Sequence, residues 1–68
     1  MNIKYTRHAI VDSMPDDKIS VRDIRLVMQK AERRTRIGEN KFKFRYHDIE
    51  VVCAKMPSYW LVITTYRI

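Results

Sequence analysis

The stretch Lys41-Phe42-Lys43-Phe44-Arg45-Tyr46 alternates basic and aromatic residues without interruption. A repeat of two residues is the period of a β-strand, in which successive side chains point to opposite faces of the sheet. The pattern therefore predicts a strand at residues 41–46 with one aromatic face and one basic face. In so small a domain we expect the aromatic face to pack against helices, with a base-stacking platform as the alternative.

A band of positive charge extends from residue 30 to residue 45. It contains seven Lys or Arg residues against Glu32 and Glu39, whereas the net charge of the whole chain is +6. A positive field concentrated in so short a segment is typical of a protein that contacts a polyanion, and a solvated charged face is the structural alternative. The predicted nucleic-acid-binding residues are Arg33, Arg34, Arg36, Lys41, Lys43 and Arg45.

Length and composition indicate one domain, residues 1–68, and exclude several classes of protein. A hydrophobic fraction of 46% is too high for a disordered chain. Cys53 is the only cysteine, so an internal disulfide is excluded, and we expect Cys53 to be a small core residue. No apolar run precedes the first charged residues, so no signal peptide is expected, and no run approaches the ~20 consecutive apolar residues of a membrane helix. A cytoplasmic protein with no membrane contact is therefore expected.

Capping signals predict two helices in the first half of the chain. Thr6 is a candidate N-cap for a first helix that ends near residue 14, because Pro15 blocks its continuation. Ser20 and Asp23 have the spacing of a capping box, and apolar residues then recur at helical spacing. The second helix is therefore expected at residues 21–33.

The second half of the chain has the pattern of strands joined by short turns. The predicted strands are residues 34–37, 41–46, 49–54 and 59–67, and residues 3–5 form only a short extended entry. The last strand is expected to be central in its sheet, because its middle is apolar on both faces. This order favours an α+β fold, with two N-terminal helices packed on one face of an antiparallel sheet of three or four strands.

Three short motifs resemble one small uncharacterised family. They are Tyr5-Thr6-Arg7-His8-Ala9, Lys18-Ile19-Ser20 ahead of the second helix, and the ending Ile63-Thr64-Thr65-Tyr66-Arg67. That family is grouped with the RelE/ParE-like toxins of toxin–antitoxin systems, within the barnase-like and colicin-like nuclease fold. The resemblance implies two helices packed on an antiparallel sheet and a surface that contacts RNA. The chain departs from the family at Ser13 and Lys18, where arginines are usual.

The resemblance also directs attention to a set of candidate catalytic residues. A ribonuclease that uses no metal needs an acid/base group and cations on the phosphate. His8 matches the helical histidine of the family, and Tyr66 and Arg67 match its closing motif. The predicted catalytic residues are His8, Arg67 and Tyr66, with Arg45 assisting, and a structural histidine is the alternative for His8. The histidines and Cys53 lack the spacing of metal ligands, so neither a metal nor another cofactor is expected.

Two functions therefore remain open from the sequence. The first is a RelE-like protein that acts on RNA, either as an endoribonuclease toxin or as an inactive RNA-binding relative. The second is a small basic interaction module that docks on an acidic protein or an antitoxin-like peptide. The basic band and the placement of His8 and Arg67 favour the first, and the missing helical arginine favours the second. A homodimer is compatible with both.

Overall fold

Helices precede residue 31 and strands follow residue 32, apart from one short strand near the start of the chain. The computed structural model describes residues 2–68. Its elements, in chain order, are β1 (Ile3–Tyr5), a π-helix (Ala9–Ser13), α1 (Met14–Asp16), α2 (Val21–Lys30), β2 (Arg33–Arg36), β3 (Lys41–Tyr46), β4 (Ile49–Lys55) and β5 (Trp60–Arg67). The predicted α+β class is confirmed.

The sheet differs from the prediction in both size and direction. Five strands lie in the order β1-β5-β4-β3-β2, and β1 pairs parallel with β5, so the sheet is mixed. The predicted antiparallel sheet of three or four strands is therefore wrong, and a strand precedes the helices. The reason is that β1 has only three residues, and its partner is more than fifty residues away in sequence. No local pattern encodes such a pairing.

Helix α2 begins where the capping box predicts. The backbone N–H of Asp23 donates to Ser20 Oγ at 3.1 Å, and the Ser20 N–H donates to Asp23 Oδ2 at 2.9 Å. The helix ends at Lys30 and not at residue 33. The backbone N–H of Glu32 already donates to the Arg45 carbonyl at 2.7 Å, so pairing with β3 ends the helix. In residues 2–68 no helix has the length and apolar character needed to cross a membrane.

The first helical segment starts as predicted but continues past residue 14. Thr6 Oγ1 accepts a hydrogen bond from the Ala9 N–H at 3.2 Å, as an N-cap does. The chain then forms a π-helical turn, and Pro15 lies in α1 directly after it. Proline has no N–H to donate, so the helical hydrogen bond at Pro15 is missing. In the preceding π-turn the backbone hydrogen bonds run to partners five residues back, which accommodates this missing bond. The predicted end at residue 14 is therefore wrong.

The core lies between the helices and one face of the sheet. Phe44 on β3, Val51 and Cys53 on β4, and Val62 on β5 are all buried against helical residues. Trp60 packs edge-to-face on Phe44 with ring centroids 5.3 Å apart. The prediction that the aromatic face of residues 41–46 meets the helices is confirmed. The other face of the sheet has no helix on it in the described part of the chain.

Strand β5 is internal, between β1 and β4, but the central strand of the five is β4, so the predicted central position of β5 is wrong. Strand β5 is also not buried on both sides. Val62 is buried on the helix face, whereas Leu61 and Ile63 are only half-buried. The apolar residues on both faces of β5 therefore indicated an internal strand, but they did not indicate that one face of the sheet is uncovered. This uncovered face, called the open face below, is where the charged residues of β3 lie.

Candidate nucleic-acid interface

A row of polar side chains crosses the open face of the sheet. The strand register places Arg33 beside Arg45, Arg45 beside Glu50, and Glu50 beside Tyr66. Neighbouring strands are about 4.8 Å apart, so the row spans roughly 14 Å from β2 to β5. Residues that are far apart in sequence thus form one continuous surface.

Three cations of the basic band converge on a single depression in the open face. The depression has a volume of about 210 Å³ and is lined by Arg33, Thr35, Lys43, Arg45 and Glu50. Lys43 lies beside Thr35 in the next row of the register. Three cations face one carboxylate here, so the local charge is positive. The walls offer guanidinium and ammonium donors together with a hydroxyl group, the donors that proteins use for phosphates.

Glu50 occupies the middle of this positive surface. Its Oε1 lies 3.5 Å from Lys43 Nζ, and only 14% of its side chain is exposed. Part of the charge of Lys43 is therefore neutralised, and the ammonium group is held in place over the sheet. A carboxylate here repels a phosphate but can accept a hydrogen bond from a sugar hydroxyl or a base amino group.

A second depression continues from the first at the turn between β3 and β4. It has a volume of about 360 Å³ and is lined by Glu32, Arg33, Arg45 and His47. Arg33 and Arg45 line both depressions, so the two are adjacent, and together they are called the groove below. The His47 backbone has a φ of 55°, and its N–H donates to Glu32 Oε1 at 2.7 Å. The ring of His47 packs against Tyr46 with centroids 4.1 Å apart.

The remaining residues of the predicted basic surface do not all reach this groove. Lys41 lies on the open face, one row beyond Lys43. Arg34 is on the other side of β2, where its guanidinium carbon lies 5.3 Å from the centre of the Phe44 ring. Arg36 donates to the carbonyl oxygens of Gly38 at 3.0 Å and Glu39 at 2.7 Å. Its guanidinium therefore holds the loop between β2 and β3.

The predicted catalytic residues occupy three different environments. His8 is exposed at the start of the first helical segment, and its Nδ1 lies 3.3 Å from Asp12 Oδ2. Arg67 contacts the far end of that segment, where it donates to the carbonyl oxygens of Asp17 and Lys18. Tyr66 lies on the open face, since adjacent residues of a strand point to opposite faces. No described contact joins His8, Tyr66 and Arg67.

Sequence reasoning did not assign Thr35, Glu50 or His47 to the candidate surface. The alternation of β4 would have placed Glu50 opposite the buried residues Val51 and Cys53. The pairing of Glu50 with Arg45 depends on the register between β3 and β4. The position of His47 beside the groove depends on its backbone hydrogen bond to the Glu32 side chain. Those relations are tertiary, and no local signal in the sequence carries them.

Neither a metal site nor a reactive cysteine is found among the described residues. Within residues 2–68 no group of three or more His, Cys, Asp or Glu side chains is arranged to hold a metal ion. Cys53 is buried, as predicted, and burial raises its pKa to about 12. Its thiol is therefore protonated at neutral pH and is a poor nucleophile.

Comparison with known proteins gives no relative for this chain. No family model, no curated protein and no solved structure matches it. The resemblance to RelE/ParE-like toxins therefore stays a prediction that rests on the three sequence motifs. Conclusions about function depend on the geometry of the open face.

Proposed function

We propose that this protein binds RNA through the open face of its sheet, with Arg33, Lys43 and Arg45 contacting phosphates. The observation that carries the proposal is the convergence of these three cations, from β2 and β3, on one depression. A chain with a net charge of +6 already attracts polyanions at long range. The depression adds a specific place on the surface where a phosphate can be bound.

The bonding of the two arginines supports this assignment. Among the described residues, Arg33 has no side-chain hydrogen bond or salt bridge, and Arg45 makes only a 3.4 Å bond to the His47 carbonyl. Arg36 and Arg67, by contrast, are engaged with backbone carbonyls. Arg33 therefore keeps its whole planar donor fork for a phosphate, and Arg45 keeps the donors other than its Nε.

Of the activities that the resemblance implies, binding is better supported than cleavage. Cleavage needs an acid/base group and phosphate-binding cations around the same atom. His8 pairs with Asp12 on the helical layer, whereas the three cations proposed to bind phosphates line the open face. We therefore propose an RNA-binding relative of the RelE-like toxins that lacks their ribonuclease activity.

The test measures binding of a fluorescein-labelled RNA of about 12 nucleotides by anisotropy across a series of KCl concentrations. The double variant Arg33→Gln/Arg45→Gln should bind at least about tenfold more weakly at low salt. Its log–log salt dependence should become shallower by roughly 1.4–1.8, because each lost phosphate contact contributes about 0.7–0.9.

The matched control is Arg22→Gln/Arg25→Gln, which removes the same charge from the exposed surface of α2 on the opposite side of the molecule. It should retain nearly wild-type affinity. If both double variants lose affinity equally, net charge alone drives binding and the open face is not the site. Binding to poly-L-glutamate that is as tight as binding to RNA, with the same dependence on Arg33 and Arg45, would instead support an acidic protein partner.

A further inference from the structure

We infer that the RNA bound on this surface is single-stranded and that one of its bases stacks on the ring of Tyr66. The inference rests on the proposed RNA-binding function and adds the substrate class and a base-binding residue. It follows from the position of an aromatic ring beside the phosphate-binding cations.

Tyr66 is the aromatic residue of the row that crosses the open face. It pairs with Glu50 in the register, and Glu50 pairs with Arg45 on its other side. The Tyr66 side chain is half-buried, and its hydroxyl makes no hydrogen bond to another described residue. The aromatic residues of β3 are on the helix face, where Phe44 is 3% exposed and cannot meet a ligand. Tyr66 therefore has a ring available beside the cations.

The spacing of the row suits an extended nucleotide chain. Arg45 and Tyr66 are separated by one intervening strand, which is roughly 10 Å across the sheet. A strand of RNA that crosses β2 and β3 with its phosphates on Arg33 and Arg45 continues toward β5. A base that leaves the backbone there meets the face of the Tyr66 ring.

A duplex cannot make the base contact with Tyr66. Its bases are paired and stacked on one another, so no base face is free to contact Tyr66. Its phosphates still reach Arg33, Lys43 and Arg45, so the cations alone do not separate the two forms. Discrimination in favour of single strands must therefore come from Tyr66. This separates the inference from the proposed function, which requires only the cations.

The experiment compares one labelled RNA of about 12 nucleotides, single-stranded and annealed to its complement, with wild-type protein and three variants. Tyr66→Leu should weaken binding of the single strand by roughly 5- to 150-fold, which corresponds to the 1–3 kcal/mol of one base–aromatic stack. Its binding of the duplex should change by less than about twofold, because phosphate contacts are unaffected. Tyr66→Phe should retain single-strand binding, since it keeps the ring.

The matched control is Tyr59→Leu, the same substitution at another half-buried tyrosine. Tyr59 lies outside the row, and Lys4 Nζ lies 4.5 Å from the centre of its ring. It should leave single-strand binding within about twofold of wild type. Thermal unfolding of each variant shows whether it is folded. As a direct readout, NMR of the wild type with single-stranded RNA should show upfield shifts of the Tyr66 ring protons.

The outcomes separate the inference from the proposed function. If Arg33→Gln/Arg45→Gln weakens binding but Tyr66→Leu does not, the RNA-binding function stands and the stacking inference is overturned. Equal affinity of wild type for the two RNA forms also overturns it, as does an equal loss in Tyr59→Leu. If Tyr66→Leu unfolds the domain, the ring-proton shifts in wild type decide, and their absence overturns the inference.

Discussion

Arg67 Nε donates a hydrogen bond of 2.8 Å to the carbonyl oxygen of Asp17. The same guanidinium donates to the Lys18 carbonyl at 3.4 Å and to Asp48 Oδ2 at 3.0 Å. The last carbonyls of a helix have no partner within it, and a cation there also opposes the negative end of the helix dipole. Arg67 thus joins the end of β5 to the end of the first helical segment.

Replacing Arg67 by Ala should lower the free energy of unfolding by about 1–2 kcal/mol, because backbone acceptors lose charged donors in a partly exposed site. Urea unfolding measures the change. Arg45→Ala is the control, since its single 3.4 Å bond is weak, and it should cost less than about 0.5 kcal/mol. If Arg67→Ala keeps full stability in urea, the hydrogen bonds of Arg67 to Asp17 and Lys18 do not stabilise the fold and the structural role is wrong.

Asp23 should make the stability of the domain depend on pH at acid values. Hydrogen bonds from the Ser20 backbone and side chain hold the pKa of Asp23 below its usual 3.8. Because the folded pKa is the lower one, this stabilisation is complete above the unfolded pKa and is lost as the pH falls through the folded pKa. Asp23→Asn should therefore unfold with a weaker pH dependence below about pH 4. Urea unfolding at a series of acid pH values measures this dependence, and an unchanged profile in Asp23→Asn would contradict it.

Removing the negative charge of Glu50 should strengthen RNA binding. Glu50→Gln frees Lys43 from its 3.5 Å ion pair and removes a repulsion from the centre of the positive surface. An exposed pair of charges is worth up to about 1 kcal/mol, so the gain at low salt should reach roughly fivefold. Glu39→Gln, in the loop between β2 and β3, removes the same charge and should have a smaller effect. Weaker binding by Glu50→Gln would mean that Glu50 accepts a hydrogen bond from the RNA.

Lys18→Gly should stabilise the protein. Lys18 has a φ of 55°, and the bonds from Lys18 N–H to the Pro15 carbonyl and from Ile19 N–H to the Met14 carbonyl form a Schellman motif. A side chain in this left-handed conformation is strained and glycine is not, so the gain should be roughly 0.5–1 kcal/mol. Thermal unfolding should show a midpoint several degrees higher. Arg25→Gly, at an exposed position inside α2, should instead lower the midpoint, because glycine weakens a helix interior.

Tyr5→Phe should leave stability unchanged or raise it by up to about 1 kcal/mol. The Tyr5 hydroxyl is buried and has no hydrogen-bond partner among the described residues. Burial also raises its pKa, so the hydroxyl is neutral over the ordinary pH range. Phenylalanine keeps the ring and removes the unsatisfied group. A loss of more than about 1 kcal/mol in urea unfolding would show that the hydroxyl has a partner, such as a bound water molecule.

Local patterns in the sequence determined several features of the fold. The alternation in residues 41–46 predicted which side chains of β3 face the helices, and Ser20 with Asp23 predicted the start of α2. Both signals act over a few residues, because side-chain direction in a strand and capping of a helix depend only on near neighbours. Net charge likewise predicts a polyanionic partner without any knowledge of the fold, and this stays a prediction.

The composition of the candidate site was decided by tertiary structure. Arg33 and Glu50 join Arg45 in one row only through the register of β2, β3 and β4, and Tyr66 joins that row only through the register of β4 with β5. The parallel pairing of β1 with β5 likewise closes a loop of more than fifty residues. Such contacts form when distant segments pack around a shared core, and the energy that selects them belongs to the whole domain and not to any one segment.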